Sequence, residues 1–264
     1  MVSHWDDEDD VVMAVNLLIL SGTIEATRLA AHVAEVGIEA TLSFAGRVER
    51  LKPQPIPVRR GGFGGVQGLA DYIMTQNITH VIDATHPFAV QMSRNAVDAC
   101  ALTGTPLVAL TRAPWTPVEG DDWTVVPDLA AAAAALAGPA RSVMLAVGRM
   151  HLDLFSSQPQ HSYLLRLVDP PAGDITLPDY HAIVDRGPFT FDEDLALLRD
   201  HRIELIVSKN AGGSGARSKI DAARALGIKV IMVDRPEVER ARNEMHDIPS
   251  VMAWLDHFGK DRGV

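Results

Sequence analysis

The feature that most constrains this chain is an alternation. Apolar runs of strand length trade places with amphipathic runs of helix length from residue 15 to residue 258. Such alternation dictates βαβ units and a mostly parallel sheet, because each crossover must carry a helix over a sheet face. Residues 15–20 read as strand, 24–36 as a helix closed by Gly37, and 38–44 as strand. Pro53, Pro55 and Pro57 punctuate a loop and leave at most a short strand at 56–60. A helix at 66–76, a strand at 79–83, a helix at 88–102 and a strand at 106–110 follow. Pro114, Pro117 and Pro127 then interrupt the pattern. It resumes with a helix at 129–136 and strands at 142–147, 163–168 and 181–185. A helix at 191–200, a strand at 205–207, a helix at 214–226, a strand at 228–233 and a helix at 250–258 complete it.

At 264 residues the chain is long for one doubly wound sheet and comfortable for two. The reading is an acidic, disordered leader over 1–14, an N-terminal cofactor-binding α/β domain over 15–127, a C-terminal α/β domain over 128–258 and a tail over 259–264. No sequence repeat links the two domains. Open parallel sheets bind ligands at the carboxyl ends of their strands, and two facing domains imply an interdomain cleft.

Charge and cysteine content narrow the function classes. The net charge of −10 draws on Asp6, Asp7, Glu8, Asp9 and Asp10, and no basic block of five or more residues occurs. Nucleic acid is therefore not an expected partner. The apolar run 11–20 follows acids, lacks the basic flank of a signal peptide and is too short to span a bilayer, so no membrane partner is expected. The single cysteine, Cys100, lies in an apolar helical pattern and reads as an inert buried thiol. One cysteine suits a reducing cytoplasm and supplies no metal cluster.

The strand ends carry the chemistry. The first strand runs into Ser21-Gly22-Thr23, a small-residue turn at a helix N-terminus. Backbone N–H groups there can approach a phosphate closely, and Thr23 has a hydroxyl to offer; Thr23 can equally serve as an N-cap. The second strand ends near Ser43 and Arg47 with no acid between Glu39 and Glu49. A hydroxyl and an arginine suit a ribose 2′-phosphate, which favours NADPH over NADH. Gly61-Gly62-Phe63-Gly64-Gly65 reads as a cofactor-facing loop, with Gly62 and Gly64 as contacts. Asp83, Thr85 and His86 close the fourth strand, and His86 has the chemistry of a proton donor. In the second domain, Lys209, Asn210, Gly212 and Gly213 sit together at a strand end, and Arg186 ends an earlier one. Lys209 suits an anionic group or acid catalysis, with Arg166 as a further cation.

In their order and spacing these motifs resemble the precorrin-6A reductase family of cobalamin synthesis. The resemblance rests on 20–26, 45–47, 61–65, 83–89, 186–189 and 208–213 and extends over about residues 17–254. It implies two Rossmann-like domains and NADPH-dependent reduction of a double bond in a macrocyclic tetrapyrrole. It also implies no metal or flavin, since the nicotinamide carries the hydride. Ser21, Gly22, Thr23, Ser43, Arg47, Gly62, Gly64, Asp83 and Thr85 match the cofactor side. His86 and Lys209 match candidate proton donors, and Asn210, Gly212, Gly213 and Arg186 match the substrate side. The molecule is expected to be a monomer or weak homo-oligomer. Ser21 departs from the glycine common in the family, and Ala211 and Ala216 stand where hydroxyls are common. Two rivals use the same turn: a Rossmann-like transferase with a nucleotide-linked substrate, and a non-catalytic nucleotide-sensing module.

Overall fold

The computed structural model describes residues 14–45, 52–168, 170, 173–185, 187, 189–238 and 242–260. The leader at 1–13, Arg47 and Arg186 lie outside them. The chain divides into two compact units: Met1–Arg112 with Val238–Val264, and Ala113–Glu237.

The first unit holds strands β1 (Asn16–Ser21), β2 (Glu39–Phe44), β3 (Val58–Arg60), β4 (His80–Ala84) and β5 (Leu107–Leu110). Its helices are α1 (Ile24–Glu35), α2 (Gly65–Thr75) and α3 (Val90–Thr103). The second unit holds β6 (Trp123–Val126), β7 (Ser142–Ala146), β8 (Ser162–Leu167), β9 (Tyr180–Val184), β10 (Leu205–Lys209) and β11 (Lys229–Val233). With them go α4 (Leu129–Ala134), a 3₁₀ segment (Arg149–Ser157), α5 (Phe191–Asp200) and α6 (Ser218–Leu226). The chain then returns to the first unit as β12 (Asn243–Met245) and α7 (Ile248–Lys260).

The first sheet runs β12-β5-β4-β1-β2-β3 and the second β6-β11-β10-β7-β8-β9, with every neighbour parallel. Each contains the same five-strand doubly wound order with a sixth strand at one edge. The repeat is one of topology, without a repeat of sequence. The period of two in β1 shows how the first sheet acquires two faces. Leu17 and Ile19 pack with Leu29, Val33, Val251 and Leu255 of α1 and α7. Leu18 and Leu20 point the other way, onto Leu69, Ile73, Ala96 and Ala99 of α2 and α3. The second sheet buries Met144, Leu164, Ile206 and Val230 with Leu198 and Ile220 of α5 and α6.

Two features differ from the expected domain plan. The boundary falls at Arg112, and the last helix belongs to the first unit rather than the second. Residues 123–126, within the stretch where prolines interrupt the pattern, form the edge strand β6, and 243–245 form the edge strand β12. Both are short and largely uncovered, so neither carries a clear alternation of apolar and polar residues. Among the described residues no helix is long and apolar enough to cross a membrane.

Candidate functional site

In doubly wound sheets the ligand crevice opens where the strand order reverses, beyond the carboxyl ends. In the first sheet this point lies between β1 and β4. The turn after β1 and the turn after β4 are stitched together there. Thr23 Oγ1 donates to the Ala84 carbonyl (2.9 Å) and accepts from Ala26 N–H (3.3 Å) as the N-cap of α1. Thr23 thus serves as the N-cap and ties the turn after β1 to the turn after β4. Gly22 is required by this closeness: a Cβ would meet His86 N at 3.0 Å and Thr85 Cα at 3.3 Å.

Ser21 is different. Its Oγ is buried without a hydrogen-bond partner at the head of the turn. A buried orphan hydroxyl is costly unless something else satisfies it. The first amides of a helix also lack intrahelical acceptors, and Thr23 serves only one of them. Orphan hydroxyl and helix amides together fit an anionic phosphate group.

Asp83, expected to touch the cofactor, instead turns inward. Its carboxylate accepts from Thr85 N–H (3.1 Å), Thr85 Oγ1 (2.6 Å) and Ser93 Oγ (2.6 Å), and is ion-paired with Arg242. Thr85 is tied up in the same knot. Both shape the turn through this network, because burial forces their polar atoms to pair. Burial and the Asp83 charge push the nearby Cys100 thiol up to about 12, so it stays an inert thiol as expected. His86 is half-buried, and its Nδ1 accepts from Phe88 N–H (3.2 Å).

At the end of β2, Ser43 is buried and accepts from Arg59 Nη1 (3.3 Å). Arg59 also donates to the carbonyls of Gly61 (2.5 Å) and Gly62 (2.8 Å), and lies 3.7 Å from the Phe63 ring centroid. The glycine loop is therefore wound around an arginine of β3. Gly64 adopts φ +82 and opens α2 without a side-chain cap. The sequence reading named Arg47, which lies outside the described residues, and did not single out Arg59. The clue was available: Arg59 and Arg60 directly precede the glycine run, on a strand neighbouring Ser43.

In the second sheet the reversal lies between β7 and β10. Lys209 ends β10 and is half-buried; burial pushes its ammonium down to about 8. Asn210, expected on substrate, clamps the backbone of Trp115. Its Oδ1 accepts from Trp115 N–H (2.8 Å) and its Nδ2 donates to the Trp115 carbonyl (2.9 Å). The Gly213 carbonyl accepts from Trp115 Nε1 (2.7 Å), and Arg235 donates to the carbonyls of Asn210 (3.0 Å) and Ala211 (3.1 Å). Asn210 thus latches the loop bearing Lys209. Gly212, with φ +68, is where the loop presses on Arg235 and Ala113. Arg166 is paired with the buried Asp194 and stacks 4.0 Å from the Phe189 ring centroid, and Asp194 also accepts from Ser218 Oγ (2.5 Å). It is therefore a structural cation.

Sequence reasoning also missed Gly148. It lies two residues beyond the last residue of β7, with φ +80, and caps the 3₁₀ segment that follows. A cavity of about 380 Å³ opens beside it, lined by Arg149, Met150, Leu152, Asp153, Ile175 and Thr176 among others. A glycine at the end of an apolar run was the signal, but only the strand order marks this strand as the one at the reversal.

Comparison with known proteins gives a consistent result. Residues 16–256 match the family model of precorrin-6x reductase CbiJ/CobK. A precorrin-6A reductase from Rhodobacter capsulatus is 56% identical over 249 residues, 94% of this chain and 99% of the relative. One from Rhodococcus erythropolis is 43% identical, covering 90% of this chain and 96% of the relative. A cobalt-precorrin-6A reductase from Priestia megaterium is 29% identical, covering 84% and 91%. A solved structure of CobK precorrin-6A reductase superposes with a TM-score of 0.89 at 55% identity, covering 95% of this chain and 98% of that one. With near-complete coverage in both directions and the two doubly wound sheets described above, this chain belongs to the precorrin-6x reductase CbiJ/CobK family.

Proposed function

We propose that the chain reduces one carbon–carbon double bond of the precorrin-6A macrocycle with NADPH, a step of cobalamin synthesis. The observation that carries the cofactor reading is the orphan Ser21 hydroxyl beside the first amides of α1, at the strand-order reversal of the first sheet. The reaction is supported by the name of the relatives at 40–56% identity, precorrin-6A reductase. The cobalt form appears among relatives at 29% identity and below, which favours the metal-free substrate.

NADPH, when bound, supplies the hydride. The chain's own residues do the rest. Ser21 and the opening amides of α1 hold the pyrophosphate, and Gly22 keeps side-chain bulk out of the turn. Ser43 and Arg47, joined by Arg59 beside Ser43, receive the 2′-phosphate. Arg59→Ala is expected to weaken NADPH by about tenfold or more while changing NADH by less than about threefold, since a 2′-phosphate contact to arginine is a charge-assisted pair. Titration of nicotinamide fluorescence measures both; equal losses on the two cofactors exclude this assignment.

The carbon next to the one receiving hydride must gain a proton. Lys209 and His86 are the candidate donors. With its ammonium held near 8 by burial, Lys209 loses its proton as pH rises through about 8. If it is the donor, turnover falls on that limb. Lys209→Met then lowers turnover by about a hundredfold, the usual scale of general acid catalysis, and abolishes the limb. Unchanged turnover with the limb intact assigns the proton to His86 or water.

The function itself is tested by absorbance at the nicotinamide band. Oxidation of NADPH only when precorrin-6A is added is the expected result. NADPH binding without oxidation selects the sensing module, and binding of nucleotide sugars in its place selects the transferase.

A further inference from the structure

The helix that opens the phosphate turn carries an acid in its first turn. Glu25 is the second residue of α1. Its carboxylate is held by Arg112, with Nε 2.7 Å and Nη2 2.6 Å from Oε2. Arg112 follows β5 and belongs to the same unit. Both side chains are partly buried: Arg112 exposes 12% and Glu25 25%. Burial pushes the Glu25 carboxyl up, but the hydrogen bond and charge of Arg112, together with hydrogen bonds from Glu25's own N–H and Thr23, more than reverse this, so it ionises below its ordinary range.

An acid at a helix N-terminus is ordinarily welcome, because it meets the positive end of the helix dipole. It is unwelcome when that same end must receive a phosphate, since the two anions then repel at short range in a partly dry site. The second observation that a ligand belongs here is Ser21, whose residue is 8% exposed and whose Oγ has no partner in the turn. The arrangement contains both a place for an anion and a carboxylate beside it, and a guanidinium fixed on the carboxylate.

We infer that Arg112 is a charge-compensating residue of the cofactor site: it neutralises Glu25 so that the turn after β1 accepts a phosphate. The inference rests on the NADPH reading above. Arg112 acts through Glu25 and is a positioning residue rather than a catalytic one.

The test is a double-mutant cycle on NADPH affinity, read by nicotinamide fluorescence at low and high salt without substrate. Arg112→Ala is expected to weaken NADPH about tenfold or more at low salt, with the loss shrinking as salt screens the exposed carboxylate. Glu25→Gln binds as well as the unaltered protein or more tightly. The double variant returns to within about threefold of the unaltered protein, because removing both charges removes the conflict. Thermal unfolding of each variant without NADPH reports the structural cost separately. If the pair is only a staple, Arg112→Ala and Glu25→Gln weaken NADPH alike, and the inference falls. A double variant as weak as Arg112→Ala makes Arg112 a direct phosphate ligand and also overturns it. Unaltered affinity in Arg112→Ala overturns it while leaving the cofactor reading intact. Failure of the unaltered protein to bind NADPH overturns both. Should Arg112→Ala not fold, Glu25→Gln decides alone: weaker NADPH binding than the unaltered protein overturns the inference.

Discussion

Asp83→Ala is expected to lower the unfolding free energy by about 3–5 kcal/mol, the usual cost of breaking a buried ion pair by removing one partner. Asp83 is 2% exposed, and it gathers Thr85, Ser93 and Arg242 on two oxygens. Alanine leaves the Arg242 guanidinium, only 11% exposed, with a lost partner and two buried hydroxyls to re-pair. The damage is specific in place as well. Thr85 and His86 form the wall against which Gly22 is packed, so the turn after β1 loosens with them. Urea unfolding measures the stability loss, and NADPH titration in the absence of denaturant measures the effect on the turn. A stability loss under about 1 kcal/mol, the scale of an exposed pair, contradicts the reading of Asp83 as the centre of a buried network.

Gly212→Ala is expected to destabilise the second unit by about 2–5 kcal/mol, from backbone strain and overpacking together. Its φ is +68, and an added Cβ runs into the Arg235 guanidinium and the Ala113 carbonyl. Arg235 cannot retreat without releasing the carbonyls of Asn210 and Ala211. Gly227 is the built-in control. Its φ is +66 at the end of α6, but a Cβ there meets nothing within 4 Å. Gly227→Ala is therefore expected to cost only about 1–2 kcal/mol, the strain alone. Thermal denaturation of the two variants separates packing from conformation. Equal shifts in midpoint would show that the Gly212 loop has room to move, and Lys209 would then lie on a loose platform rather than a fixed one.

The architecture was legible because it depends on local pattern. The alternation of Leu17, Leu18, Ile19 and Leu20 between two buried faces is written into a continuous apolar run, and parallel strands require the helices between them. β6 and β12 were not legible. Each is short and lies at a sheet edge, so it has too few buried positions to leave a pattern. The return of α7 to the first unit was hidden for another reason. Val251 and Leu255 carry an ordinary amphipathic stripe, and such a stripe names no partner.

The site divides in the same way. Ser21-Gly22-Thr23 was found from the sequence as a turn fit for a phosphate, and residues 208–213 as a polar strand end, because glycines and polar residues after apolar runs have few structural uses. What each side chain does there was decided by tertiary contacts. Thr23, Asp83, Thr85 and Asn210 all look like ligand contacts in one dimension, yet their donors and acceptors are met by Ala84, Ser93, Arg242 and Trp115. Ser21 is left with an unmet hydroxyl at the same turn. The sequence determined where the strand ends lie and which residue types gather there, since both follow from short-range patterning. Only the tertiary structure decided which of those polar groups remain to meet a ligand. A buried polar atom must pair with whatever the fold brings to it, and partners such as Arg242 on Asp83 and Arg112 on Glu25 come from far along the chain.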